Sequence, residues 1–485
     1  MRIIIGLVLF LVATSCSRQV EVSTYSDEIP VIFPDYADVV IPPNIAPLNF
    51  SLEVEAEETR ALFKSEDAYE FEIAGKNGSF NIPLSKWKNL LKESMGGNVS
   101  VTIKVKNEDG WTAYKPFFLH VAKERIDSYL AYRLIAPGYE LWNGMGIYQR
   151  DLENFTQESI LENKVMEHNC INCHSFCMQQ ANKMLFHMRG KIAGTMLFNN
   201  GKYEKLNTKT NRTISPLVYP SWHPSGKYIA FSVNKTNQNF HLNHRNRIEV
   251  YDEASDVVIY DIEKHELLTS SSIFSEESFE TFPAFSPDGN MLYFCSAKAC
   301  SIPEEYDKVK YNLCAVSFNP QTREFGTKVD TLFCADRENK SASFPRVSPD
   351  GRWLMYTASG YGNFSIWHKD ADLHLIDLLT GTSKVLTEVN SEDVESYHSW
   401  SSNSRWFVFS SRRLDGLYTH PYIAYVDEKG IIGKPFVLPQ QDACFYDSFM
   451  WSFNIPEFVT SKIADWDYGL VMKVKEDRGI DIKFE

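Results

Sequence analysis

Beyond its first dozen residues the chain has no long apolar run. Nothing after Val12 is both long and apolar enough to cross a bilayer as a helix. Positive charge is also short: 49 Lys and Arg face 63 Asp and Glu, leaving a net charge of −14. That balance argues against nucleic acid as a partner. The acidic residues are scattered, with no spacing that would build a calcium cage. No G-x-S-x-G elbow occurs, so the nucleophile turn of a hydrolase is missing. What the chain has in quantity is apolar and aromatic side chains, 44% and 14% of its residues. Across 485 residues that is enough for the cores of two or three domains.

The start points to export. Arg2 precedes the apolar run Ile3 to Val12, and the small residues Ala13, Thr14 and Ser15 follow. A basic start, a short apolar core and small residues make a secretory leader, too short for a membrane span. Cys16 comes next, so residues 1–16 resemble a bacterial lipoprotein signal, with Ala13 where Leu is usual. The resemblance implies lipidation at Cys16; an ordinary leader with an incidental Cys is the alternative. Ser17 resembles the outer-membrane sorting class. The expectation is a lipoprotein of a Gram-negative cell envelope, lipid-anchored in the outer membrane and facing the periplasm.

The most chemically pointed stretch is Cys170-Ile171-Asn172-Cys173-His174. It reads C-x-x-C-H, the attachment signature of a c-type haem. Two thiols three apart on a helical turn can bond the two vinyl groups of one porphyrin. The adjoining imidazole can then reach the iron. Covalent haem c on Cys170, Cys173 and His174 is the expectation, and an exported protein is where such attachment takes place. Rival readings use the same residues. A redox dithiol needs only C-x-x-C, but usually follows a strand in a βαβ unit, and none is visible. Cys177 extends the cluster to C-x2-C-x3-C, which could suit an iron–sulfur or zinc site. A structural disulfide is another. As distal iron ligand Met188 ranks first, His187 second and Met184 third, with Met196 also in range. Met178 and His168 lie too near the motif to loop across a haem. Each of these could instead be an ordinary packed residue. Cys300 and Cys314 flank a loop and suggest one disulfide. His223, His398 and His420 fall near strand ends, where lone histidines are mostly structural or solvated.

Taken in order, residues 17–38 read as a polar tether. Residues 39–122 read as a small β-sandwich of immunoglobulin-like type. Phe50 to Val54, Tyr69 to Ile73 and Val99 to Val105 alternate apolar and polar, as half-buried strands do. Asn107-Glu108-Asp109-Gly110 turns the chain into a second arm, Tyr114 to Val121. Ser85 is placed to cap a short helix carrying Trp87, Leu90 and Leu91. Tyr129–Leu134 and Met145–Arg150 read as strands on either side of Pro137-Gly138. Phe155 to Glu167 reads as helix, so about 155–190 is expected to be a helical insertion carrying the haem motif. Short strands follow at Met184–Met188 and Thr195–Phe198, and Asn200-Gly201 closes a hairpin.

A repeat occupies the remainder. Pro220-Ser221-Trp222-His223-Pro224-Ser225-Gly226 is followed by a strand at Lys227 to Ser232. Pro283-Ala284-Phe285-Ser286-Pro287-Asp288-Gly289 and Pro345-Arg346-Val347-Ser348-Pro349-Asp350-Gly351 repeat the pattern, each with its following strand. Ser399-Trp400-Ser401-Ser402-Asn403-Ser404 is a degenerate fourth copy. Each copy reads strand, turn, strand: Pro fixes φ, Asp bonds the backbone, and Gly supplies a positive φ. A strand pair recurring at this spacing signals propeller blades. The motif resembles the Pro-Asp repeats of TolB-like propellers, which are WD-repeat-like. That resemblance implies a six-bladed β-propeller over residues 126–485, with seven blades as the alternative. Four blades carry the motif, a fifth lies near 184–215, and Phe449–Val459 pairs with strands near 129–150 to close the ring. The propeller also resembles that of prolyl-oligopeptidase-type peptidases, but the catalytic elbow is lacking. The fold expected is therefore all-β.

Two functions follow from these residues. One is a membrane-anchored monohaem cytochrome with the propeller as a docking scaffold, in electron transfer or redox sensing with an envelope redox or protein partner. The other is a non-redox propeller that binds a protein or glycan, its Cys cluster structural. A single haem with no other catalytic group favours electron carriage over enzyme chemistry.

Overall fold

The computed structural model describes residues 20–54, 56–137, 143–242, 244, 246–464, 466 and 468–485. The leader, Cys16 and Gly138 lie outside the described residues.

Among the described residues, the chain from Tyr129 onward forms six sheets built on four antiparallel strands that resemble propeller blades. Blade 1 joins Tyr129–Ile135, Met145–Asp151 and Gln157–Glu162 to the distant Ser452–Val459. Blade 2 runs Ile171–Phe176, Lys183–Met188, Gly194–Asn199 and Lys202–Asn207. Blades 3 to 6 open at Leu217–Trp222, Ser278–Phe285, Ser341–Val347 and Glu395–Trp400. Each of these first strands touches the first strand of the next blade, and that of blade 6 touches Ser452–Val459, so the ring closes. Position within the blade explains the burial. The first and second strands of a blade are covered on both faces by its neighbours, so Trp353–Ser359 and Trp406–Ser411 are buried throughout. The last strand is the rim, so Thr382–Val385 is exposed throughout.

The region expected to be a helical insertion is not one. Gln157–Glu162 is the outer strand of blade 1, and Asn163–Met166 and Cys177–Gln179 make short 3₁₀ turns. The C-x-x-C-H segment is extended and pairs with Lys183–Met188 as the first strand of blade 2. Tertiary pairing overrides the local pattern there: Ile160 and Leu161 are both buried by the sheet rather than by one face of a helix.

The N-terminal unit has a seven-stranded and a three-stranded sheet, with one helix, Leu84–Glu93. That helix buries Trp87, Leu90 and Leu91 as expected, but Pro83 holds the cap position and Ser85 lies inside. The expected tether is partly built into this unit: Thr24–Tyr25 pairs with Thr112–Ala113, and Ile32–Phe33 with Ser51 and Leu52. Its core is continuous with blades 5, 6 and 1. Trp406 Nε1 donates to the Glu124 carbonyl (3.2 Å), and Arg150 reaches the Pro439 carbonyl (2.9 Å) and Gln440 Oε1 (3.0 Å).

Two features tie the blades together. The hairpin of blade 3, Tyr228–Phe240 with Ile248–Asp261, leans across blade 4 to a segment of blade 5. There Glu249 accepts from Tyr361 (2.6 Å) and pairs with His368 (3.1 Å), and Asn363 donates to Asp252. At the other rim the C-terminal residues Ile480–Asp481 and Lys483–Phe484 add parallel strands to the outer edges of blades 2 and 3.

The Pro-Asp-Gly turns behave as their chemistry predicts. Gly289 and Gly351 have φ of +77° and +74°. Their surroundings differ, and that difference makes a test. A Cβ on Gly351 meets open space, whereas one on Gly289 overlaps the His223 ring, which bonds Ser225 (2.7 Å) and the Gly289 carbonyl (3.1 Å). Gly351→Ala should therefore lose only the left-handed cost, about 1 kcal/mol. Gly289→Ala should lose clearly more. Urea unfolding of both variants decides this; equal losses would show that His223 yields without cost.

Candidate functional site: the axial funnel

Every first strand carries the same irregularity. One extra residue is inserted opposite the second strand, between Asn172 and Ser175, Val218 and Ser221, Thr281 and Ala284, Ser343 and Arg346, Ser396 and Ser399, and Asn454 and Glu457. Each insertion is a β-bulge. The first bulged residues are Cys173, Tyr219, Phe282, Phe344, Tyr397 and Ile455, all with φ between +44° and +53°. For residues other than glycine that conformation costs about 1–2 kcal/mol each. The compensation is at the axis, where these six side chains line one small cavity of about 20 Å³. Tyr219, Phe282, Phe344 and Tyr397 pack in sequence, edge-on or tilted, with ring centroids 4.6, 4.3 and 4.6 Å apart. Each such pair contributes about 0.5–1.5 kcal/mol beyond its buried area. The ring closes the channel like a gate.

Two residues along each first strand lies a second ring: Ser175, Ser221, Ala284, Arg346, Ser399 and Glu457. It forms the floor of a funnel of about 120 Å³, walled by Trp222, Phe285, Trp400 and Phe458. Two of the serines are committed to backbone. Ser221 Oγ accepts the Phe285 N–H (3.2 Å), and Ser399 Oγ donates to the Pro456 carbonyl (2.8 Å). The Arg346 guanidinium makes one hydrogen bond, from Nη1 to the Pro345 carbonyl (3.2 Å). Glu457 accepts one, from the Phe176 N–H to Oε2 (3.1 Å). The two side chains feel one another's charge but form no ion pair. Burial depresses the Arg346 guanidinium and pushes the Glu457 carboxyl up to about 7. Trp222 Nε1, also on the funnel wall, is buried without a partner.

The residues singled out for haem are scattered rather than gathered at one place. Cys170 precedes the strand beside Arg133 and Arg189; burial raises its thiol despite those cations. Cys173 is in the gate and His174 lines the same small cavity. Neither ring nitrogen of His174 makes a hydrogen bond of ordinary geometry, although the Ile455 backbone lies near enough to act on its charge. Burial first, then Arg133, holds His174 down at about 3, so it is neutral. Cys177 points its Sγ at the His223 carbonyl (3.8 Å), in the core between blades 2 and 3. Met188, Met184 and Met196 pack in the core between blades 1 and 2. His187 bonds Thr195 (3.1 Å), and Met178 lines the funnel. No group of three or more His, Cys, Asp or Glu converges as a metal site among the described residues. The cavity at His174 is far too small for a tetrapyrrole, and Cys170 does not line it. The cradle that haem c would need is not formed by these residues in this arrangement.

The other cysteines stay apart. Cys300 and Cys314, suggested as a disulfide, are both free thiols. Of the three histidines near strand ends, His223 and His398 bond backbone carbonyls, while both ring nitrogens of His420 lack partners. Arg346 and Glu457 were missed as site residues. Their signal was in the repeat: Phe344-Pro345-Arg346-Val347 and Ile455-Pro456-Glu457-Phe458 place charges where the other copies have Ser or Ala.

No family model matches the chain, and neither does any curated protein sequence. Among solved structures the chain is similar to TolB from Acinetobacter baumannii, at 13% identity over 78% of this chain and 85% of that one, with a TM-score of 0.44. It is also similar to the β-propeller domain of the Trilobed protease from Pyrococcus furiosus, at 11% identity over 69% and 80%, with a TM-score of 0.33. At such identities and scores these likenesses carry no argument about chemistry, and the propeller description rests on the strand order.

Glu457 offers a test of the funnel's electrostatics. Its folded pKa is raised above the ordinary 4.5, so ionisation costs more in the folded chain than in the unfolded one. The stability it contributes is present below about 4.5 and is lost as pH rises towards about 7. Glu457→Gln should therefore raise the melting temperature at pH 8 relative to wild type more than at pH 5. The same shift at both pH values would mean that Glu457 is not buried as described.

Proposed function

We propose that this protein is a non-redox binding module whose axial funnel receives an anionic group of a small ligand or of a glycan acid. The observation that carries the reading is Arg346. Its side chain is half-buried at the funnel floor, and the guanidinium makes a single hydrogen bond, to a backbone carbonyl of its own strand. An arginine presents five donors in a fork suited to carboxylates, and most of those of Arg346 are left free to face the funnel. The aromatic walls would hold the apolar part of the ligand. The envelope location and the lipid anchor at Cys16 belong to this reading as proposals, because the leader is their sole support.

The cytochrome is the second reading. The observation in its favour is His174, whose ring nitrogens lack ordinary partners. Against it stands the place of Cys173 and His174 in the lining of the small axial cavity. The two readings part on whether Cys170 and Cys173 carry a covalent group.

The binding reading is tested by thermal shift with a panel of small organic acids and uronic acids, on wild type and Arg346→Gln. Some members should raise the melting temperature of wild type by several degrees and that of the variant by less than half as much. Stabilisation that is equal in the two proteins, or absent across the panel, would remove the reading.

A further inference from the structure

We infer that the funnel's ligand is a small zwitterion, an amino acid in which a free ammonium and a free carboxylate are recognised together. This rests on the binding reading above and adds the second recognition element. Arg346 and Glu457 occupy two positions of the same six-membered ring, separated by Ser399. They carry opposite charge, line the same funnel and are not ion-paired. Both side chains are half-buried, so the hydrogen-bonding capacity they do not use within the protein faces the funnel. Had they served only the fold, the cheaper arrangement would be a direct pair or a serine, as at Ser175 and Ser221. Ser399 cannot bridge them, because its hydroxyl donates to the Pro456 carbonyl.

Arg346 has donors to spare and Glu457 has one carboxylate oxygen without a bond. A ligand with an anionic and a cationic end would satisfy both at once. A plain organic acid would answer Arg346 and leave Glu457 facing an added negative charge. A plain amine would do the reverse. The wall between the two charges is aromatic, with Trp400 following Ser399 and Trp222 and Phe285 beyond. That surface suits an aliphatic or aromatic side chain, and its ring faces favour a nearby ammonium.

Trp222 and Trp400 make the test optical. Wild type would be titrated at pH 8, following tryptophan fluorescence, with leucine, N-acetyl-leucine, leucine amide and γ-aminobutyrate. Free leucine or γ-aminobutyrate should bind, and blocking either end of leucine should weaken binding at least tenfold. Glu457→Gln should lose the preference for leucine over N-acetyl-leucine. Arg346→Gln should lose the preference for leucine over leucine amide. Circular dichroism of both variants guards against simple misfolding. N-acetyl-leucine binding as tightly as leucine would overturn the zwitterion while leaving an anion site at Arg346. Binding of organic acids alone would do the same. Absence of any Arg346-dependent binding, of acids or amino acids, would remove both readings.

Discussion

The bulge on each first strand is the constraint from which the rest of the architecture follows. It places one extra residue in the left-handed region at the point where six strands approach an axis. Six non-glycine residues adopt that conformation with φ within 10° of one another. A backbone cost of this kind persists only where the surroundings over-determine it. Here the surroundings are the other five copies. Each bulged side chain packs at the axis against those of neighbouring blades, and four of the six are aromatic. The blades therefore support one another's strain, and the ring is the place where they are mutually registered.

The same bulge sorts the chemistry of the axis. The bulged residue closes the channel, and the residue two further on faces the funnel. A residue's role is thus set by its place in the repeat more than by its own type. Cys173 sits where Tyr, Phe or Ile sit in the other blades, and His174 where Pro or His sit. Phe176 sits where Trp222 and Trp400 sit. The arrangement also explains why two charges can face the funnel. Ser, Ala, Arg and Glu are all tolerated there, because that position does not decide how the blades pack.

The propeller was legible where the turn residues were good. Pro-Asp-Gly at Gly289 and Gly351 announced strand pairs, and the pairing of Ser452–Val459 with Tyr129–Ile135 followed from counting blades. The first strand of blade 2 was not legible, for a physical reason. Cys173-His174-Ser175-Phe176 aligns with Tyr397-His398-Ser399-Trp400, but two cysteines and a histidine spell a stronger chemical word than a degenerate repeat does. The turn that follows it, through Gln180 and Asn182, has no Pro-Asp-Gly to mark it. The C-terminal edge strands were invisible for another reason. Two-residue strands such as Ile480–Asp481 have no periodicity to read. Arg346 and Glu457 could have been found by comparing the copies position by position.

The claim that the C-x-x-C-H segment is a blade strand, with Cys173 closing the gate, meets its most direct test in the mass of the intact protein. The full chain would be produced with its leader in a bacterium that carries out covalent haem attachment, then denatured and weighed. The predicted mass is that of the processed polypeptide and any lipid on Cys16, with Cys170 and Cys173 both free to react with iodoacetamide after unfolding. A mass that includes one haem, with both thiols blocked and the addition lost in Cys170→Ser with Cys173→Ser, would contradict the claim and restore the cytochrome.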